Sequence, residues 1–152
     1  MPTLDAAAPM SAVFVRQSRV IRAPRSRVYD AWTQPEVLQQ WFGGEGRCCP
    51  TAQLDVREGG FYRIEIQPTQ DSSKGATAEG VYTAVEPNER LQFTWHPSFN
   101  PGEESLVTVT FADANGGTEV TILHEKITSD GAPGYTKGWS GSLEKLATLL
   151  AS

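Results

Sequence analysis

The stretch PGYTKGWSGSLEKLATLLAS, residues 133–152, decides the fold. Tyr135, Trp139, Leu143, Leu146 and Leu150 recur at three-to-four spacing and so share one face of an amphipathic helix. Gly138 and Gly141 interrupt it at about 1 kcal/mol each against alanine, which predicts close approach to another part of the chain. A helix with one apolar face has to bury it against a partner layer. The rest of the chain supplies that layer.

From residue 50 onward the apolar period is two. TAQLDVR runs through EGG into FYRIEI, a hairpin signal in which Tyr62, Ile64 and Ile66 alternate with Phe61, Arg63 and Glu65. QPTQDSSKG reads as a polar loop, and TAEGVYTAVEP, ERLQFTWHP, SLVTVTFAD and GTEVTILHEKI follow as strands. ANGG between the last two predicts a primed hairpin turn with positive φ. Leu91, Phe93 and Trp95, then Val107, Val109 and Phe111, mark one greasy face opposite Gln92, Thr94, Thr108 and Thr110.

Upstream, VFVRQSRVIR (13–22) is rich in β-branched residues and predicts a first strand. Ser26 is placed to cap a short helix carrying Val28, Tyr29 and Trp32, which ends near Thr33. Thr33, with Pro35 and Glu36 behind it, forms a capping-box pattern for a second short helix with the stripe Val37, Leu38, Trp41, Phe42, stopped by Gly43 and Gly44. The order is strand, two short helices, six strands, long helix. One domain over 13–152 is expected, preceded by a flexible tail at 1–12.

Composition narrows the function. The net charge is −5 over 152 residues, and the arginines are scattered among acidic residues, so nucleic acid is not an expected partner. No run approaches the roughly 18 apolar residues of a membrane span, and MPTLDAAAPMSA lacks the basic and apolar regions of a secretory leader. A cytoplasmic protein is expected, as a monomer or homodimer. Cys48 and Cys49 are adjacent, which disfavours a mutual bridge, and only two histidines are present. No metal and no cofactor are expected.

An antiparallel sheet with one apolar face curls over the helix that covers it, and the wedge between them is either filled by side chains or left as a cavity. The runs IRAPRSRVYDAWTQPEVLQQWF, REGGFYRIEI, GVYTAVEPNERLQFTW, GTEVTILHE and GWSGSLEKLATLL occur in this order from about Val13 to Leu150. In this the chain resembles the helix-grip domains related to the birch-pollen allergen and START lipid-binding proteins, above all the branch named for the activator of the heat-shock-protein ATPase. The resemblance implies an α+β helix-grip fold: a curved seven-stranded antiparallel sheet wrapped around a long C-terminal helix and an apolar cavity, with two short helices after strand one. By the same resemblance Trp41, Gly59, Gly60, Pro87, Trp95 and Trp139 are fold markers, without a shared catalytic residue. The proline-rich HPSFNPGEES loop departs from the family pattern.

Catalytic motifs are weak. His124 and Glu125 are strand neighbours and point to opposite faces, so they do not share a site. His96 falls beside Pro97 at a strand end, where a solvated loop position is expected. GWSGS lies inside a helical pattern and lacks the strand–turn–helix setting of a nucleophilic serine. Tyr29, Trp32 and Trp41 read as core packing that seals the container. The candidates for a ligand are Tyr62, Tyr82, Phe93, Trp95, Val109, Phe111, His124, Trp139 and Leu143.

The function expected is therefore binding of a hydrophobic, aromatic or polyketide-type small molecule in an internal cavity. By resemblance it extends to natural-product resistance, including self-sacrifice to an enediyne with Gly138 as the sacrificial glycine. A polyketide cyclase or aromatase is the enzymatic alternative, and a chaperone-partner domain is the surface-binding one.

Overall fold

The computed structural model describes residues 13–44, 46–70 and 75–151; the expected tail at 1–12 lies outside them. In chain order the elements are β1 (Phe14–Ile21), α1 (Arg25–Thr33), α2 (Pro35–Leu38), β2 (Arg47–Cys48), β3 (Ala52–Leu54), β4 (Phe61–Pro68), β5 (Ala76–Glu86), β6 (Arg90–Pro97), β7 (Ser105–Ala114), β8 (Gly117–Glu125) and α3 (Ala132–Leu150). The sheet runs β1-β8-β7-β6-β5-β4-β2, with β3 also on β4.

Every ladder is antiparallel. β2 pairs with the far end of β4 through Cys48↔Gln67, and β3 with its beginning through Leu54↔Tyr62. They occupy one lane, interrupted at Cys49 and Pro50, so eight strands fill the seven expected lanes. Pro50 has no N–H to give a ladder, which suits a broken edge. The two residues of β2 are too few to show a period, and the sequence did not reveal them.

Period-two alternation builds the inner face. Leu91, Phe93 and Trp95 on β6, Val107, Val109 and Phe111 on β7, and Val120, Ile122 and His124 on β8 are all buried. Against them α3 lays Trp139, Leu143, Leu146 and Leu150, each buried. Burying a leucine side chain fully is worth roughly 1.5–3 kcal/mol, so this stripe fixes the helix on the sheet. In the β4–β5 ladder Tyr62 is paired with Gly80, and its hydroxyl donates to the Thr94 carbonyl on β6 at 2.6 Å. A Cβ at Gly80 would collide with that same carbonyl oxygen. The glycine lets β5 and β6 approach here.

Three local expectations are corrected. Ser26 does not cap α1: the N-cap is Pro24, whose extended backbone (φ −68, ψ 157) precedes the helix without a side-chain bond. Thr33 does not cap α2; its hydroxyl turns back to donate to the Tyr29 carbonyl at 3.0 Å. Pro35 forces the residue before it out of the helical region, and Gln34, at φ −101, becomes the N-cap. The β7–β8 turn is not primed, because Gly116 has φ +79 while Asn115 is not at positive φ. Positive φ at only the second central position is the signature of a type II turn.

Candidate functional site

Where the α1–α2 corner meets the sheet, α1 against β7 and β8 and α2 against β3, the side chains leave a void of about 20 Å³. Trp32 comes from α1, Leu38 from α2 and Phe42 from the turn after it. Leu54, Tyr62, Ile64, Tyr82, Leu91, Phe93 and Trp95 complete the lining from the sheet. The space suits about one water, whereas drug-sized ligands occupy pockets of roughly 300–1,000 Å³. Side chains fill most of the wedge between sheet and helix.

Of the nine ligand candidates, the structure brings Tyr62, Tyr82, Phe93 and Trp95 together at this void. Tyr62, Tyr82 and Phe93 form a triangle of tilted and edge-on rings with centroids 5.3–5.9 Å apart. Val109, Phe111, His124, Trp139 and Leu143 are buried in the core but do not line it. Trp139 backs its wall, with its centroid 5.6 Å from both Trp95 and Phe42. Phe111 packs edge-on against Tyr29 at 5.6 Å.

Trp32 and Phe42 revise the expectation that this region only seals the container. Trp41 does seal: it is fully buried, and its indole donates to the Ala31 carbonyl at 3.0 Å. Trp32 lines the void, is 3% exposed, and its Nε1–H is buried without a hydrogen-bond partner among the described residues. The helical stripe showed that Trp32 faces inward; only the packing of the α1–α2 corner shows that it reaches the void.

The polar groups at the void are neutral. Burial pushes the Tyr62 hydroxyl well up, and the Tyr82 hydroxyl likewise. Tyr62 is committed to Thr94, while the Tyr82 hydroxyl has no hydrogen-bond partner among the described residues.

His124 belongs to a separate network. Its Nδ1 accepts from Trp139 Nε1–H at 3.1 Å, and its Nε2 lies 2.8 Å from Ser105 Oγ. The indole only donates, so Nε2 carries the proton and donates to Ser105; this tautomer follows from the network. Ser105 Oγ then donates to Glu103 Oε2 at 2.7 Å, and Tyr135 donates to the same oxygen at 2.8 Å while accepting from Trp95 Nε1–H at 3.1 Å. Burial holds His124 down at about 3, so the imidazole is neutral. With Nε2 protonated it is not a base toward Ser105, and no nucleophilic pair is set up. Sequence spacing did not show this network, because its members come from a loop, three strands and α3.

The other candidates sit elsewhere. His96 is not solvated at a loop; it is half-buried on the outer face of β6, opposite Glu79 in the ladder. It lies in an open groove of about 450 Å³ with Thr77, Pro97, Ser98, Pro101, Gly102, Glu103 and Glu104, formed where the proline-rich loop folds against β5. No group of three or more His, Cys, Asp or Glu side chains placed to hold a metal occurs among the described residues. Cys48 and Cys49 are free thiols. Gly138 is half-buried, and a Cβ there would meet nothing within 4 Å. The close approach expected at Gly138 exists from the other side: a Cβ at Gly44 would lie 3.2 Å from the Gly138 carbonyl oxygen. Lys145 Nζ straps the same segment by donating to the carbonyls of Gly44 and Arg47 at 3.2 and 3.0 Å. No helix among the described residues is long and apolar enough to cross a membrane.

The sequence model for the Activator of Hsp90 ATPase homolog 1-like protein matches residues 22–151. No curated protein matches the chain. Among solved structures, protein CV1439 from Chromobacterium violaceum is 30% identical, with a TM-score of 0.79 over 91% of this chain and 97% of that one. The AHSA1-like protein from Aeromonas hydrophila is 22% identical, with a TM-score of 0.77 over 91% and 92%. DynU16, a protein in the dynemicin biosynthetic locus, is 24% identical at a TM-score of 0.74; the match covers 91% of this chain and 47% of that one.

Proposed function

Because the chain belongs to the Activator of Hsp90 ATPase homolog 1-like family, we propose that it binds a hydrophobic, aromatic or polyketide-type small molecule between the α1–α2 corner and strands β3 to β6. The observation that carries this reading is the void itself, whose ten lining residues are all apolar or aromatic. A pocket of this make-up suits apolar ligands with few polar groups. The ligand enlarges the void by moving side chains. Tyr82 is free to turn because its hydroxyl breaks no bond, whereas Tyr62 is tied to Thr94. Phe42 precedes Gly43 and Gly44, whose φ values of 118° and 80° make the turn.

The fold shared with a protein of the dynemicin biosynthetic locus supports a natural product as ligand and resistance by sequestration as its use. In the self-sacrifice form an enediyne-derived diradical takes a glycine Cα hydrogen; Gly138 is the candidate, next to the Trp139 ring that backs the void. Intact mass after exposure to an activated enediyne tests that form.

The main reading is tested by titrating the protein with planar polyketides while following tryptophan emission, since Trp32 and Trp95 line the void. Saturable quenching, weakened by Tyr82→Ala, is expected. Absence of quenching by the whole series, with the interior unchanged in a crystal soaked with the same compounds, overturns it.

A further inference from the structure

The polar inventory of the void is one-sided. Trp32, in the lining, has a buried N–H with no acceptor among the described residues, and an indole nitrogen can only donate. Tyr82 brings a second donor, a hydroxyl held protonated by burial and without a hydrogen-bond partner among the described residues. The other two side chains with donors in the lining are spent, Tyr62 on the Thr94 carbonyl and Trp95 on the Tyr135 hydroxyl. No Lys, Arg, His, Asp or Glu among the described residues lines the void. A carboxylate or an ammonium group brought here would lose its hydration without gaining a counter-charge. A buried donor left unpaired carries the cost of its lost hydration, which an incoming acceptor recovers.

We propose that Trp32 is the orienting donor of the interior site and that the ligand is a neutral, planar aromatic ketone or quinone whose carbonyl oxygen accepts from Trp32 Nε1–H. Tyr82 donates to a second carbonyl, or to the far lone pair of the same one, after its ring turns aside. This deepens the interior-binding reading above and rests on it. It also separates two tryptophans of similar burial: Trp41, whose N–H is spent on Ala31, holds the corner together, while Trp32 keeps its donor for the ligand.

The matched pair 9-fluorenone and fluorene tests this, because the two differ only in a carbonyl against a methylene. Equilibrium dialysis against the full chain is expected to show fluorenone binding roughly tenfold more tightly than fluorene, the worth of one well-placed hydrogen bond. Trp32→Phe keeps an aromatic ring and removes the N–H; it is expected to bring the ratio of the two affinities to about one, whatever the smaller ring does to fluorene binding itself. Tyr82→Phe reduces the preference by a smaller factor and guards against a Trp32 variant that folds poorly. In the wild-type complex the fluorenone carbonyl stretch moves to lower wavenumber, and in Trp32→Phe it returns. Equal affinity for the two compounds, or equal losses for both in Trp32→Phe, overturns the proposal while leaving interior binding intact. Failure of the wild type to bind either compound overturns both.

Discussion

Trp139 Nε1–H donates to His124 Nδ1 at 3.1 Å from α3 to β8, and this bond fixes which way the buried network points. With Nδ1 occupied, His124 donates through Nε2 to Ser105, and Ser105 donates to Glu103. From the other side Trp95 donates to Tyr135 and Tyr135 to the same carboxylate oxygen. Two donor chains therefore end on one anion, and every polar atom along them is satisfied. A filled buried network of this kind fixes one arrangement of helix against sheet. Glu103 stands where the network meets the outer groove, so the acidic end is the half-buried one.

Acid stability follows from His124. Its folded-state value of about 3 lies below the ordinary 6.5, because burial disfavours the charged form. Between these limits the unfolded chain binds a proton that the folded chain does not, so stability is full above pH 6.5 and falls as pH drops toward 3. The loss amounts to about 3–5 kcal/mol at the lower limit. Urea midpoints measured from pH 7 to 4 should fall for the wild type and fall less steeply for His124→Gln. Parallel acid limbs in the two proteins would assign the pH dependence to the carboxylates.

Gly44 and Gly138 face each other, and alanine is expected to act oppositely at the two. Gly44 has φ +80, and its added Cβ would press on the Gly138 carbonyl oxygen at 3.2 Å, so Gly44→Ala should cost about 1–3 kcal/mol. Gly138 is helical with open space where the Cβ would stand, so Gly138→Ala should stabilise by about 0.5–1 kcal/mol. Thermal unfolding of the two variants separates them by sign. Destabilisation by both would mean that the helix needs the glycine at 138 for a reason other than space.

The alternation Leu91, Phe93, Trp95 and the stripe Trp139, Leu143, Leu146 could be read in advance because each is a local period imposed by one buried face. What covers a face, and what remains between the layers, depends on contacts between residues far apart in sequence. Trp32 illustrates this: its inward direction was legible, but its place at the void depends on how α1 seats on β7 and β8 and α2 on β3. Ser105 gave no signal, since a serine opening a strand is ordinary and its partners lie 2 and 19 positions away. The caps failed for a simpler reason. Pro24 and Pro35 set the backbone before each short helix, which leaves Ser26 and Thr33 one or two positions off the cap.

The adjacent cysteines are expected to differ in reactivity. Cys49 is 3% exposed, its thiol donates to the Thr51 carbonyl at 3.4 Å, and burial pushes it up to about 11. At pH 8 it is therefore almost wholly protonated and shielded, and the thiolate is the reactive form. Cys48 is half-buried on the edge lane. A chromogenic disulfide reagent should count one thiol in the native protein and two in denaturant. Peptide mapping should place the fast one at Cys48; rapid modification of Cys49 would show that the broken edge lane opens readily.

The two ends of the Glu103 network should carry different weights. Tyr135→Phe removes the acceptor of Trp95 Nε1–H, a group that is buried with no substitute partner shown, and one of the two donors on Glu103 Oε2. Leaving a buried donor unpaired costs about 1–3 kcal/mol. Asn100 donates to the other carboxylate oxygen at 3.0 Å from an exposed position, where water replaces it, so Asn100→Ala should cost under about 0.5 kcal/mol. Urea unfolding at pH 7 measures both. The expected gap arises because water can reach Asn100 and cannot reach Trp95; equal costs would mean that water enters the inner end and that the network is open along its length.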